Sequence, residues 1–388
     1  MGYFTKRRTI NLALQGGGAH GAFTWGVLDR LLEDPNIEFG WLSATSAGAV
    51  NAAAFTSGWI HGGREGARKA MSDVWTAVYN AGVPELLRLN PFLHGLSRSP
   101  TFTQVAGLWS PYDLNPLRID PLRQLLSELV DFDAIRERGP HELLIAATDV
   151  ATGQPRLFRR KECCVDTILA SACLPTVHHA VEIEGRNYWD GGFSCNPDIV
   201  TLGSKSPTKD TLIVKLTPLV QRHLPKGVNE IAGHINQLAF SAPLRRDVET
   251  IVTIRKLARG FFQNARSDHE RLAHHRYHLI DAGHYTGSLN PQTKMKPDWK
   301  LFTYLRDAGQ LKAEQWLQSD RKAVGSRSSV DLEDVFLRQP MRSTANSEND
   351  STSATSTIDT SPSPGANSKN DVPKSSESER PRRRRNRA

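Results

Sequence analysis

Near its start the chain twice repeats one pattern: a strand, a tight turn of glycine or other small residues, then a helix. "RTINLALQ" alternates near its beginning and is rich in β-formers, and it runs directly into Gly16, Gly17 and Gly18. In the "AHGAFTWGVLDRLLED" that follows, Phe23, Val27, Leu28, Leu31 and Leu32 fall at helical spacing. "EFGWLSA" then reads as a second strand, and "AGAVNAAAFTSG" as a helix of very small residues. Two such units in succession argue for parallel strands joined by crossover helices. The expected fold class is α/β: a three-layer α/β/α sandwich on a mostly parallel central sheet.

The later chain fits that class. From Gly62 to about Glu137 the pattern is mainly helical and broken by prolines, which predicts a helical insertion over residues 60–137. Its middle, Phe92 to Trp109, is irregular and apolar, and is expected either to shape the entrance to a site or simply to cover the core. "HELLIAATDV" has the length and apolarity of a buried strand, and "ATGQ" the composition of a turn. "CCVDTILASACLP" reads as a helix stopped by Pro175, and "VEIEGRNYWDGG" as a hairpin turning at Gly185 and ending at Asp190. "DTLIVKLTPL" and "HHRYHLIDA" read as further strands, with long helices between and after them.

Composition divides the 388 residues unevenly. Beyond about Met341 the chain is Ser, Thr, Asn, Asp, Glu, Pro and Arg, too poor in apolar residues to offset its ordering entropy. The expected organisation is a lead over 1–8, a single folded domain over 9–320, and a linker with a disordered tail over 321–388. The net charge of +8 comes partly from the terminal "RPRRRRNRA" and partly from Arg245, Arg246, Arg255, Lys256 and Arg259. These cations read as solvated faces and a solubilising end. The sharper reading is peripheral contact of the tail with an anionic membrane, or an address read by a secretion machine. No specific nucleic-acid partner is expected. Cys163, Cys164, Cys173 and Cys195 lack metal-ligand spacing and suit reduced, buried thiols in a cytoplasmic protein. No secretory signal, myristoylation pattern or spanning segment is read.

Chemistry concentrates at three places. In "LQGGGAHGAF" three glycines between a strand and a helix leave amides free for an anion. Gly16, Gly18 and Gly21 also satisfy a dinucleotide fingerprint, but the acid that should follow the second strand is missing: "SATSAGA" stands there. That second turn has the strand-to-helix context of a nucleophile elbow, with Ser46 between Thr45 and Ala47. Gly48 is in place, and Ala44 stands where the pattern wants glycine. The third place is "YWDGGFSCNP", which puts Asp190 at a strand end before Gly191 and Gly192. By itself such an aspartate reads as a turn residue bonding its own backbone. A histidine base remains open at this point, with Asp281 and His284 in "DAGHYTG" as the late pair.

Taken in order, "GGGAHG", "ATSAG" and "DGG" resemble the patatin-like phospholipase family, with "ATDVATG", "ASACLP" and "NPD" in matching contexts over about residues 9–320. The resemblance implies a Ser-Asp dyad without histidine: Ser46 as nucleophile and Asp190 as proton acceptor. It implies that the Gly17 and Gly18 amides, helped by Ala47, stabilise an oxyanion. His20 stands where relatives often carry a longer cation, and is read either as positioning the loop or a phosphate, or as facing solvent. The implied activity is hydrolysis of lipid carboxylic esters, with no cofactor and no metal. The alternatives are a serine esterase or polyester depolymerase using Ser46 with another base, and a catalytically silent lipid-binding scaffold.

Overall fold

The computed structural model describes residues 7–81, 112, 120–220, 224–261, 267–287, 289, 293–294 and 298–338. Its strands are β1 (Arg8–Leu14), β2 (Ile37–Thr45), β3 (Leu143–Asp149), β4 (Pro155–Arg159), β5 (Val181–Ile183), β6 (Arg186–Asp190), β7 (Asp210–Lys215) and β8 (Arg276–Asp281). The helices are α1 (Ala22–Leu32), α2 (Ala47–Ala81), α3 (Pro121–Leu129), α4 (Phe132–Arg138), α5 (Val165–Ser171), α6 (Val200–Lys205), α7 (Val228–Phe261), α8 (Asp268–Ala273), α9 (Gly283–Thr286), α10 (Trp299–Ser319) and α11 (Leu332–Phe336).

The strands form one mixed sheet in the order β5-β6-β3-β2-β1-β7-β8, with β4 also paired to β3. The run β3-β2-β1-β7-β8 is parallel, as the two opening strand-turn-helix units require. β4, which no sequence reading singled out, pairs antiparallel to β3, and so does β6. "PRLFR" carries only one fully buried apolar side chain, Phe158, so its alternation is weak.

Side chains alternate between two cores, one on each sheet face. Leu12 and Leu14 of β1, Ile145 of β3 and Val214 of β7 pack with α1, α2 and α10. Their neighbours Ala13, Leu144 and Ile213 pack with residues of α6, α7, α8 and α11. This is the expected three-layer α/β/α sandwich. Asp120 caps α3 ahead of Pro121, and Asp131, Ser267 and Asp298 cap α4, α8 and α10 through their side chains. α2 bends at Gly62 and Gly63, where the backbone leaves helical geometry.

Two expectations change. Packing does not end at 320: the first of the two units into which the chain divides extends to Gln339. Val324, Leu332 and Phe336 are buried, and the Gly325 N–H donates to Asp210 Oδ1 at 3.0 Å. Their short, interrupted apolar pattern hides this in the sequence. The basic residues near 250 are also not merely solvated. Arg246 donates to the Ser194 carbonyl, Arg255 to the His275 carbonyl, and Lys256 pairs with Glu333. Of the insertion over 60–137, α2 after its bend, α3 and α4 are helical as read. The segment from Phe92 to Trp109 lies outside the described residues, as does the Arg-rich end. All four cysteines are free thiols, and Cys164 alone of them is only half-buried.

Candidate active site

β3 builds the site by offering one edge to two strands in turn. Its residues Leu144–Thr148 pair with β4 along one edge. β2 and β6 therefore share the opposite edge, end to end: Thr45 pairs with Ala146, and Asp190 with Ala147. Ser46 follows Thr45, so one register step along β3 brings together two side chains that are far apart in sequence.

Ser46 adopts φ +55°, the left-handed region, as a non-glycine residue. That conformation costs about 1–2 kcal/mol, and its surroundings hold it. The Ser46 N–H donates to Ser171 Oγ at 2.9 Å, and its carbonyl accepts the Ala49 and Val50 N–H groups as α2 begins. Thr45 Oγ1 donates to the Cys195 carbonyl at 2.9 Å, tying the turn to the loop after Asp190. Ala44 is fully buried in regular β2, opposite Leu14 and Ile145. The strained position is thus Ser46 itself, which is why alanine is accommodated at 44.

Asp190 is fully buried. One carboxylate oxygen accepts the Gly192 N–H at 2.7 Å, and its backbone is pinned by the Cys173 carbonyl and by Thr148 Oγ1. Among the described residues, the other oxygen, Oδ2, accepts no hydrogen bond. The Ser46 hydroxyl lies beside this carboxyl. Burial pushes the Asp190 pKa up to about 7, against the opposing pull of the Gly192 N–H and the Ser46 hydroxyl.

The glycine loop closes over the same spot. A Cβ at Gly16 would stand 2.7 Å from Ser46 Cβ, so only glycine lets the loop approach the serine. The Gly16 N–H donates to Asn196 Oδ1 at 2.8 Å, and Gln15 Oε1 accepts from Leu216 and Thr217. Gly18 sits at φ +56°, with the Lys294 carbonyl where a side chain would go. Among the described residues, no acceptor takes the N–H of Gly17, Gly18 or Ala47. Gly21 packs on Ala47, Gly48 on the Leu14 carbonyl, and Gly191 on the Ala146 carbonyl, so the small residues of all three motifs meet at one place. Ser171 and Asn196 lay within "ASACLP" and "NPD", but nothing in the sequence gave either side chain a partner.

The histidines stand apart. His20 does not face solvent: it is buried, its Nε2 lies 2.9 Å from Thr293 Oγ1, and burial reinforced by Lys294 pulls its pKa down to about 3. It is a neutral ring inside the loop. His284 is exposed, and Asp281 is engaged by Lys215 Nζ at 2.7 Å and by the Gly283 N–H. Among the described residues no histidine hydrogen-bonds to Ser46 or Asp190. Behind the Asp190 loop, Cys195, Asp198 and Asp247 bring their ligand atoms within 4.8 Å of one another. Burial raises all three pKa values, Asp247 to about 7.

Three small-residue turns have thus converged on one serine and one buried aspartate, in the order the sequence motifs set. The family model for patatin-like phospholipase matches residues 12–202, a span that begins in β1 and ends in α6 and contains all of them. Through these residues the chain belongs to the patatin-like phospholipase family. At the level of that family it is a lipid acyl hydrolase. No curated protein sequence matches the chain. Among solved structures it is similar to VipD from Legionella pneumophila, at 15% identity and TM-score 0.38, covering 80% of this chain and 67% of that one. It is also similar to the ExoU-SpcU complex from the type III secretion system of Pseudomonas aeruginosa, at 17% identity and TM-score 0.29. That match covers 81% of this chain, which spans about half of its counterpart (53%). Among the described residues of this patatin-like chain, no helix is long and apolar enough to cross a membrane.

Proposed function

We propose that the chain hydrolyses the carboxylic ester of a membrane lipid through an acyl-Ser46 intermediate, with Asp190 as the only side-chain base. The observation that carries this reading is the Ser46 hydroxyl beside a fully buried carboxyl whose Oδ2 has no other partner among the described residues. A base with a pKa near 7 is matched to its task at neutral pH.

Ser46 Oγ gives its proton to Asp190 Oδ2 and attacks the ester carbonyl. The carbonyl oxygen becomes an oxyanion, received by the N–H groups of Gly17, Gly18 and Ala47 at the starts of two helical segments. The Ser46 N–H is already given to Ser171 Oγ, so it is not a donor in this hole. Collapse breaks the ester bond, and the leaving alcohol takes the proton from Asp190. Water then gives a proton to Asp190 and attacks the acyl-enzyme, and Ser46 Oγ leaves with that proton. Asp190 and the three amides fill every role in this scheme.

The test is a fluorophosphonate serine probe together with turnover of a phospholipid and a soluble ester. Wild-type protein should be labelled, and Ser46→Ala should be neither labelled nor active. Asp190→Asn should lose at least about a thousandfold in kcat, because losing either member of one catalytic unit removes most of its effect. His284→Ala should stay at the wild-type rate. Wild-type turnover by Asp190→Asn, or an inactive His284→Ala, would refute the dyad.

A further inference from the structure

The first half of α7 is apolar on both of its sides, and only one side is covered. On the inner side, the Phe240 ring lies against Gly192 and meets Phe193 edge-on at 4.8 Å. The Phe240 carbonyl accepts Asn196 Nδ2 at 2.9 Å, and Gln237 donates to the Pro218 carbonyl. This side is therefore seated on the loop that carries Asp190 and on the residue that holds Gly16.

On the outer side, Val228 is 83% exposed, Ile231 43%, Ile235 59% and Leu238 57%. Steps of three, four and three residues at about 100° each keep these four within roughly a quarter of the helix circumference. Leu219, Val220 and Leu224, in the connection that leads from β7 to α7, are exposed as well. Isolated exposed leucines need no explanation, whereas a concentrated stripe of this kind marks an interaction surface.

We propose that this outer face of α7 is where the enzyme docks on a lipid bilayer carrying anionic headgroups. Three observations choose the bilayer. First, position: α7 is about 10–12 Å across, so a membrane on its outer face lies one helix width from the loop of Asp190. A lipid ester at the headgroup–acyl boundary would have only that far to travel. Second, shape: a helix with one seated side and one exposed apolar stripe has the form that lies flat on a bilayer with its apolar face inserted. Third, charge: between Leu219 and Arg246 the sequence has one acid, Glu230, against Arg222, Lys226, Arg245 and Arg246. Glu230 turns back to accept the Lys226 and Gly227 N–H groups, Lys226 stands exposed at one end of the stripe, and Arg245, exposed at the other, lies 3.8 Å from Glu249. Cations flanking an inserted apolar face suit anionic headgroups.

The inference rests on the lipid-ester reading of the site, so binding is measured apart from turnover. The full chain is floated with vesicles of phosphatidylcholine and phosphatidylglycerol, at low and at high salt. The triple variant Ile231→Gln, Ile235→Gln, Leu238→Gln should lose at least about tenfold in vesicle affinity, equivalent to about 1.4 kcal/mol. It should keep hydrolysis of a soluble short-chain ester within about twofold. Binding that survives high salt should be what the triple variant loses, because insertion is not screened whereas attraction through a basic tail is. Ser46→Ala should bind vesicles like the parent, so a failed dyad and a failed docking surface give different results. Hydrogen exchange on the unaltered protein gives a second reading, with residues 228–242 expected to gain protection when vesicles are added. Equal vesicle binding by the triple variant and the parent overturns the proposal, and so does the absence of protection. A parent dimer that the triple variant converts to monomers, with vesicle binding unchanged, assigns the face to a second copy and overturns it too.

Discussion

In the proposed mechanism the chemistry of the site rests on one titration, that of Asp190. Only the ionised carboxylate can accept the Ser46 proton, so kcat/KM on a soluble ester should rise with pH through about 7 and then level. A flat profile from pH 5 to pH 8 would contradict that assignment. The same shift makes Asp190 a burden on the fold. A carboxyl whose pKa rises from 3.8 to about 7 on folding holds its proton more tightly in the folded state. Its proton-linked stability is complete below 3.8 and is lost as pH rises through about 7. At about 1.4 kcal/mol per pKa unit the penalty at pH 8 amounts to up to about 4 kcal/mol. Asp190→Asn carries no such penalty, so its Tm should exceed that of wild type at pH 8, and the gap should shrink toward pH 4. A gap that widens toward acid would reverse the sign and rule out a raised pKa. Gly16→Ala is a second residue-scale prediction. The new Cβ would stand 2.7 Å from Ser46 Cβ and 3.0 Å from the Thr45 carbonyl, so either the glycine loop or the elbow must shift. Overpacking of this kind costs about 1–3 kcal/mol, and the soluble-ester rate should fall by more than that loss of stability explains.

The site depends on which elements end where. β2 stops at Thr45 and β6 takes over the same edge of β3 from Asp190, so the approach of Ser46 to Asp190 is set by pairing register rather than by either loop alone. α5 supplies the next constraint, because Ser171 at its last turn accepts the Ser46 N–H. Ser171→Ala would leave a buried amide without a partner, which costs about 1–3 kcal/mol. It would also free Ser46 to leave its left-handed conformation. Thermal unfolding and kcat should therefore fall together, while KM for a soluble ester changes little. An unchanged kcat would mean that the elbow is held by α2 and Thr45 without help from α5. The small residues of the elbow were legible in the sequence because a tight turn demands them. Ser171 was not, because a serine in "ASACLP" looks the same whether or not its hydroxyl faces a distant amide.

At the scale of the whole molecule, the folded unit closes with α11. Val324, Leu332 and Phe336 are buried, the last two against the core that holds α7. Burying each such side chain contributes about 1.5–3 kcal/mol. Truncation after Asp320 should then remove a large share of the 5–15 kcal/mol that typically separates folded from unfolded domains, giving insoluble or molten protein. Truncation after Gln339, at the boundary between the two units, should leave Tm and soluble-ester hydrolysis unchanged. Circular dichroism melts of the two truncations check both, and a stable protein ending at Asp320 would show that α11 is dispensable.

Some of this was fixed by local chemistry alone. Strand-turn-helix repetition dictates parallel pairing, because a crossover helix returns the chain in the same direction. Three small-residue turns in one order are rare enough to point to a family, and they named Ser46 and Asp190 as candidates. The rest needed distance. Whether Asp190 or His284 faces the serine is decided by strand register across β3, which no local pattern encodes. That Asp190 titrates near 7 follows from complete burial, a property of everything packed around it rather than of "DGG". That His20 is a neutral, enclosed ring follows from Thr293 and Lys294, which reach it from far along the chain. Burial, orphaned hydrogen-bonding groups and the exposure of one face of α7 are sums over long-range contacts, so they exist only once the chain has closed on itself.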